Sequence, residues 1–216
     1  MTGGKILPEM SDPLDALNNI IEDNDIDIVN RCRQGQTEAF SELVRRHQKK
    51  MINFAYRMIG EYDQACDVVQ EAFLSAYRSL GSFRGNALFS TWLCGIVLNQ
   101  ARTYLKRKSI RNRREILLPE DHFQSANGGS FNTILSDEAF FVERIDRQTL
   151  QAGVQECIDK LDNKQREVLV LRDIQGHSYE EIGAILKLPS GTVRSRLFRA
   201  RSDLKNHFLK MFGKTT

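Results

Sequence analysis

The stretch "SYEEIGAILKLPSGTVRSRLFRAR" (Ser178–Arg201) reads as two helices around a tight turn. Ser178 can cap the first, with Glu181 three residues on to complete a capping box that satisfies backbone donors at the helix start. Ile182, Ile185 and Leu186 form its apolar face, and Gly183 is small enough to let a neighbouring helix cross closely. Leu188, Pro189, Ser190 and Gly191 make the break, with Ser190 or Thr192 available to open the second helix. There Val193, Leu197, Ala200 and Leu204 recur at helical spacing and must face inward. The same helix carries Arg194, Arg196, Arg199 and Arg201, and no acid stands between Gly191 and Ser202. A helix that is merely solvated usually interleaves acids to form i, i+4 pairs. An acid-free arginine helix after a capped partner instead suits the DNA major groove, where arginine reads guanine edges or holds phosphates. The candidate DNA-reading set is Arg194, Ser195, Arg196, Phe198, Arg199 and Arg201.

The charge of the remaining chain is distributed unevenly. The formal net charge is only +3 over 216 residues, yet residues 1–30 hold one Lys against seven acids. Residues 101–118 hold seven Lys/Arg against Glu115 alone, and residues 187–205 hold six against Asp203 alone. Two separated basic segments give a polyanion two places to touch. Hydrophobic residues at 41% and charged residues at 27% fit a soluble globular chain and exclude disorder throughout. Cys32, Cys66, Cys94 and Cys157 never form the close pairs of a zinc site or redox dithiol, so reduced thiols and no metal are expected. No apolar run reaches the roughly 18 residues a membrane span needs, and the acidic start is unlike a secretory signal, so the expected location is the cytoplasm.

Helical periodicity runs from about Asp25 to Lys108, through Ile28, Phe40, Leu43, Ile52, Phe54, Val69, Phe73, Trp92, Val97 and Tyr104. Gly60 and Gly81 sit where helices should end, and no stretch alternates with the period of a strand. From Ser109 the periodicity collapses into polar, Gly- and Pro-punctuated sequence, and it returns from Ile145 through Val154, Ile158, Leu161 and Leu169. The expected fold is therefore all-α, with two helical domains joined by a flexible linker and the helix-turn-helix in the C-terminal one. Its segments are an acidic extension (1–24), a bundle (25–108), a linker (109–144) and a C-terminal domain (145–212).

Three stretches in this order resemble the extracytoplasmic-function sigma factors of bacterial RNA polymerase. "DQACDVVQEAFLSAYRSLGSFRG" (63–85) is similar to the family's polymerase-docking helix and "FSTWLCGIVLNQARTYLKR" (89–107) to its −10 helix. "LDNKQREVLVLRDIQG" (161–176) and the helix pair after it are similar to its −35 domain. The resemblance implies that the polar face of Asp63, Asp67, Gln70 and Glu71 meets core RNA polymerase, while Ala65, Val69, Phe73 and Tyr77 lie toward the bundle. It implies that the break carrying Phe83, Arg84, Asn86 and Ala87 receives a flipped base of the −10 strand, with Asn99, Arg102 and Lys106 beside it. An unstacked base needs an apolar wall, polar groups for its edge and cations for its phosphates, which these residues could supply. It also implies promoter DNA and an anti-sigma protein as partners, and a linker threading polymerase as an extended tether.

Two other readings stay open on residues alone. A helix-turn-helix regulator with an N-terminal sensor domain would bind its operator as a dimer, without polymerase. An enzyme is disfavoured because His47, His122, His177 and His207 are scattered and no catalytic constellation or nucleotide-binding loop is present, so neither catalysis nor a cofactor is expected.

Overall fold

The computed structural model describes residues 25–117 and 150–213, and among these only helices and turns occur. The acidic extension 1–24 and the linker from 118 onward lie outside the described residues. A helix over 25–33 (α1) and a 3-10 turn (Thr37–Ala39) lead into α2 (Phe40–Ile59) and α3 (Tyr62–Arg78). A second 3-10 turn (Leu80–Ser82) and an open loop precede α4 (Phe89–Leu117). The C-terminal part holds a helix over 150–159 (α5), α6 (Asn163–Leu169) with its π-helical continuation (Val170–Ile174), α7 (Tyr179–Leu186) and α8 (Ser190–Phe212). The all-α, two-part expectation is met.

In the N-terminal part Leu43, Met51, Phe54, Ala55 and Met58 of α2 are buried against Ala65, Ala72 and Ala76 of α3, whose small side chains let the helices approach closely. α1 is held across α2 by Asp25, whose Oδ2 lies 2.7 Å from His47 Nε2 and whose Oδ1 accepts from Arg46 at 3.1 Å. α2 ends at Gly60 in the left-handed conformation (φ 85°), its N–H donating to Tyr56 O at 2.8 Å. A Cβ there would also sit 2.8 Å from Asp159 Oδ2 of α5, so glycine serves the turn and the close approach together.

α4 runs on to Leu117 rather than stopping near Lys108. Its buried residues Leu93, Cys94, Val97, Leu98 and Ala101 end early, which is why apolar periodicity understates the helix. The basic continuation contains no Gly or Pro before Pro119, and arginine and lysine are good helix formers.

In the C-terminal part Asp162 caps α6, accepting from Lys164 N (2.8 Å) and Gln165 N (3.1 Å). The helix then widens into a π turn closed by Gln175 N to Val170 O at 3.0 Å. Four successive residues, Val168 to Leu171, are buried there. No regular α-helix facing one neighbour buries such a run; this one is covered from both sides, by α8 and by the N-terminal bundle.

The two parts are packed against one another and share a continuous core, whereas the linker reading treats them as separate bodies. Arg57 Nη1 donates to Gln155 Oε1 at 3.0 Å, Thr91 Oγ1 to Glu181 Oε1 at 2.9 Å, and His177 Nε2 lies 3.4 Å from Cys94 Sγ. A unit as short as the C-terminal one buries a smaller share of its apolar surface by itself, and α2 and α4 cover part of the remainder.

His177, only 5% exposed, makes this contact sensitive to acid. Burial pushes its pKa below the usual 6.5, outweighing the opposing pull of Glu181. The unfolded chain therefore takes the proton more readily than the folded one, so this contribution is full above about pH 6.5 and is lost as pH falls below it. The urea midpoint is expected to drop between neutral pH and about pH 5.5, and His177→Gln to flatten that slope. An equal slope in the variant would remove His177 as the cause.

Candidate nucleic-acid interface

The helix-turn-helix has the local chemistry its sequence specifies. Glu181 N donates to Ser178 Oγ at 3.1 Å and Ser178 N to Glu181 Oε2 at 2.8 Å, the reciprocal capping box. α7 ends at Lys187 in the left-handed conformation (φ 56°). Gly183 is required by the turn itself, since a Cβ there would lie 2.8 Å from the Leu188 carbonyl. α8 begins at Ser190 with no side-chain cap, and Val193, Leu197 and Ala200 bury its inner stripe.

The four arginines of α8 divide their tasks. Arg201 is tied bidentately to Asp173 of the π turn (3.0 and 2.5 Å), and Arg194 lies 5.8 Å from the Tyr179 ring centre, with Arg172 5.1 Å from the same ring. Arg196 is half-buried and lines a cleft against α4. Arg199 is exposed beside Ser195 and Phe198, the last 76% exposed. The outward surface is thus narrower than the six-residue candidate set, because the docked stripe leaves only one side of the helix fully clear.

The candidate −10 residues separate likewise. Phe83 is only 4% exposed, packed at 5.8 Å centre to centre on Phe89 and 5.2 Å on Trp92, and Arg33 Nη2 donates to the carbonyls of Phe83 and Leu80. In this position Phe83 pins the loop from beneath and offers no free face to a base. Arg84, Asn86 and Ala87 are exposed in the loop it anchors. Asn99, Arg102 and Lys106 form one exposed stripe along α4. Arg102, however, is engaged: its Nε and Nη2 donate to the two carboxylate oxygens of Glu167 at 2.6 and 2.7 Å.

On α3 the residues Asp63, Asp67, Gln70 and Glu71 are all exposed on one side, opposite the buried Ala65, Val68, Val69, Ala72 and Phe73. Tyr77 departs from the expected inward position; it is partly exposed, edge-on to Phe40 at 5.1 Å, on the rim of an apolar groove between α2 and α3. The four cysteines are free thiols, and burial pushes Cys94 up to about 12, which keeps it protonated and unreactive. Among the described residues no group of side chains could hold a metal ion.

Residues 43–110 match the family Sigma-70 region 2, and residues 151–204 match Sigma-70, region 4. The chain is 36% identical over 185 residues to the RNA polymerase sigma-H factor of Pseudomonas aeruginosa, covering 86% of this chain and 94% of the relative. It is 39% identical over 181 residues to the ECF RNA polymerase sigma-E factor of Escherichia coli K12, covering 83% and 91%. The chain belongs to the extracytoplasmic-function sigma factors. It is a promoter-directing transcription initiation factor of the sigma-70 family.

Among solved structures, CnrH in complex with the cytosolic domain of CnrY matches this sigma factor with a TM-score of 0.58 and 26% identity, over 83% of this chain and 94% of that one. RpoE of Bartonella quintana, in complex with the anti-sigma factor NepR, shares the fold, with a TM-score of 0.59 and 21% identity over 80% and 98%. Among the described residues of this sigma factor, no helix is long and apolar enough to cross a membrane.

Residues that bind the sigma factor's two parts together were missed by sequence reasoning. Glu167, only 5% exposed, and Arg166 sit side by side ahead of the apolar run 168–171. Adjacent opposite charges entering a buried segment signal pairing with partners elsewhere, because lone buried charges are costly. Which partners they find depends on the packing of the two parts, which no local pattern contains.

Proposed function

We propose that this sigma factor holds core RNA polymerase through the acidic face of α3, reads the −35 element with α8, and engages the −10 strand with the loop 84–88 and α4. The observation that carries this reading is the charge layout: an exposed acidic helix in the first part, and basic segments on the outer half of α4, where Glu115 is the lone acid, and on residues 191–202 of α8, which hold none. Acid–base complementarity speeds encounter with a basic partner, and clustered cations hold phosphates without reading sequence. Within this reading the segment 25–108 is the docking and melting domain, 145–212 the −35 domain, and 109–144 the connection between them.

The chemistry asked of the chain is binding alone. Unstacking a base costs a few kcal/mol, roughly, and contacts from Asn86, Asn99 and the nearby cations offset it together with polymerase's grip on the strands. Phe83 acts indirectly, by keeping the loop in place. For Arg102 to reach a phosphate, Glu167 must release it, so the two parts separate on the way to the open promoter complex. An anti-sigma protein is a further proposed partner, supported by the partners of CnrH and RpoE in their solved structures. The proposed location is the cytoplasm, where polymerase and promoters are.

Run-off transcription with purified core polymerase tests the reading: the chain should direct starts that core alone does not make. Gel shifts separate it from an operator-binding regulator, since promoter binding should depend on core enzyme. Arg199→Ala should weaken −35 discrimination by about 1–3 kcal/mol while leaving polymerase affinity unchanged. An unaltered −35 preference in the variant would reject α8 as the reading helix.

A further inference from the structure

The packed arrangement creates a feature that neither part has alone. Between α4, α6 and α8 lies a cleft of about 690 Å³ whose charged lining is Arg102, Lys106, Arg113, Lys164, Arg196 and Glu167. Both oxygens of Glu167, the sole carboxylate of the lining, are already held by Arg102. That leaves Lys106 and Arg113 on one wall, and Lys164 and Arg196 on the other, with no acid in the cleft to answer them. Lys106 and Arg113 stand two turns apart on the same face of α4. Beside them Leu105 and Ile110 supply an apolar surface, and Asn163 an amide.

Four converging cations need a multiply charged anion, and phosphate oxygens suit both ammonium and guanidinium donors. The volume is that of a small-molecule site, and an apolar wall next to the cations fits a flat ring. We propose that this cleft between the two parts binds a small polyphosphorylated molecule, with its phosphates among Lys106, Arg113, Lys164 and Arg196 and an apolar ring against Leu105 and Ile110. Such a ligand bridges both parts and favours the packed form over the separated one by mass action. The same phosphate chemistry is available from a nucleic-acid strand, so the test includes one.

The full chain is titrated calorimetrically with ATP, inorganic tripolyphosphate and a single-stranded oligothymidylate. ATP and tripolyphosphate should bind one to one, ATP more tightly, with affinity falling as salt rises. Lys106→Glu, Lys164→Glu and Arg196→Glu should each weaken binding roughly tenfold or more, as expected for lost charge-assisted hydrogen bonds. Lys210→Glu, the same change of charge on an exposed residue near the far end of α8, should not. A second readout needs no variant: ATP should protect both Lys106 and Lys164 from amine acetylation, read by mass spectrometry. Absence of binding, equal weakening by Lys210→Glu, or protection of Lys106 without Lys164 overturns the site. So does oligothymidylate binding more tightly than ATP with loss on Lys106→Glu but not Lys164→Glu, which marks a strand surface on α4 alone. Neither polymerase nor promoter enters these assays, so a negative result leaves the transcriptional role standing.

Discussion

Replacing Arg166 with methionine is expected to lower stability by about 3–5 kcal/mol, because removing one partner from a buried charged network leaves the others unanswered. The guanidinium is only 7% exposed and spends its donors on backbone carbonyls: Nε on Ile158 (3.2 Å), Nη1 on Met58 (2.8 Å), and Nη2 on Asp159 (2.6 Å) and Leu161 (3.3 Å). Three of these close the end of α5 and the turn into α6, and the fourth reaches across to the last turn of α2. Methionine fills part of the volume and satisfies none of the carbonyls. Lysine keeps the charge but lacks the planar fork, so Arg166→Lys should recover only part of the loss. Urea unfolding monitored by circular dichroism checks this, and a midpoint within error of the parent chain would show that the carbonyls find other donors. Such a loss is a large share of a typical domain's stability of about 5–15 kcal/mol.

Charge reversal on α3 carries the second large effect. The double change Asp67→Lys and Glu71→Lys places two cations where the proposed reading needs anions to meet a basic surface of polymerase. Setting like charges against each other across an interface costs several kcal/mol, roughly, so association with core enzyme should weaken a hundredfold or more. Both positions are exposed, which keeps the effect on folding small. Affinity for core enzyme, measured by fluorescence anisotropy of labelled chain at two salt concentrations, reads the change directly. An affinity unaltered at low salt would reject α3 as the docking face.

Much of the architecture was legible from spacing alone. The apolar stripe of α8, the capping box of α7 and the glycine at the end of α2 follow from rules that act within a few residues, and each occurs as expected. The acidic side of α3 was legible for the same reason, since helical geometry sets which residues share a side. The end of α4 was not, because the periodicity used to detect helices reports burial, and beyond Ala101 the helix leaves the core while remaining helical. The π turn was equally hidden: an unbroken apolar run does not say how many neighbours will surround it.

The candidate site divides along the same line. Residue type and position along the chain singled out arginines and asparagines as candidates for touching nucleic acid. They did not reveal that Arg201 would be claimed by Asp173, Arg102 by Glu167, or that Phe83 would lie beneath the loop it helps to form. The amino-acid sequence by itself determined two helical units, their caps and the sign of charge on each helix, all set by contacts within about one or two turns. Only the tertiary structure decided how those units sit together, and with it which cations stay free. Ion pairs across an interface depend on distances between segments far apart in the chain, and short-range periodicity carries no information about those distances.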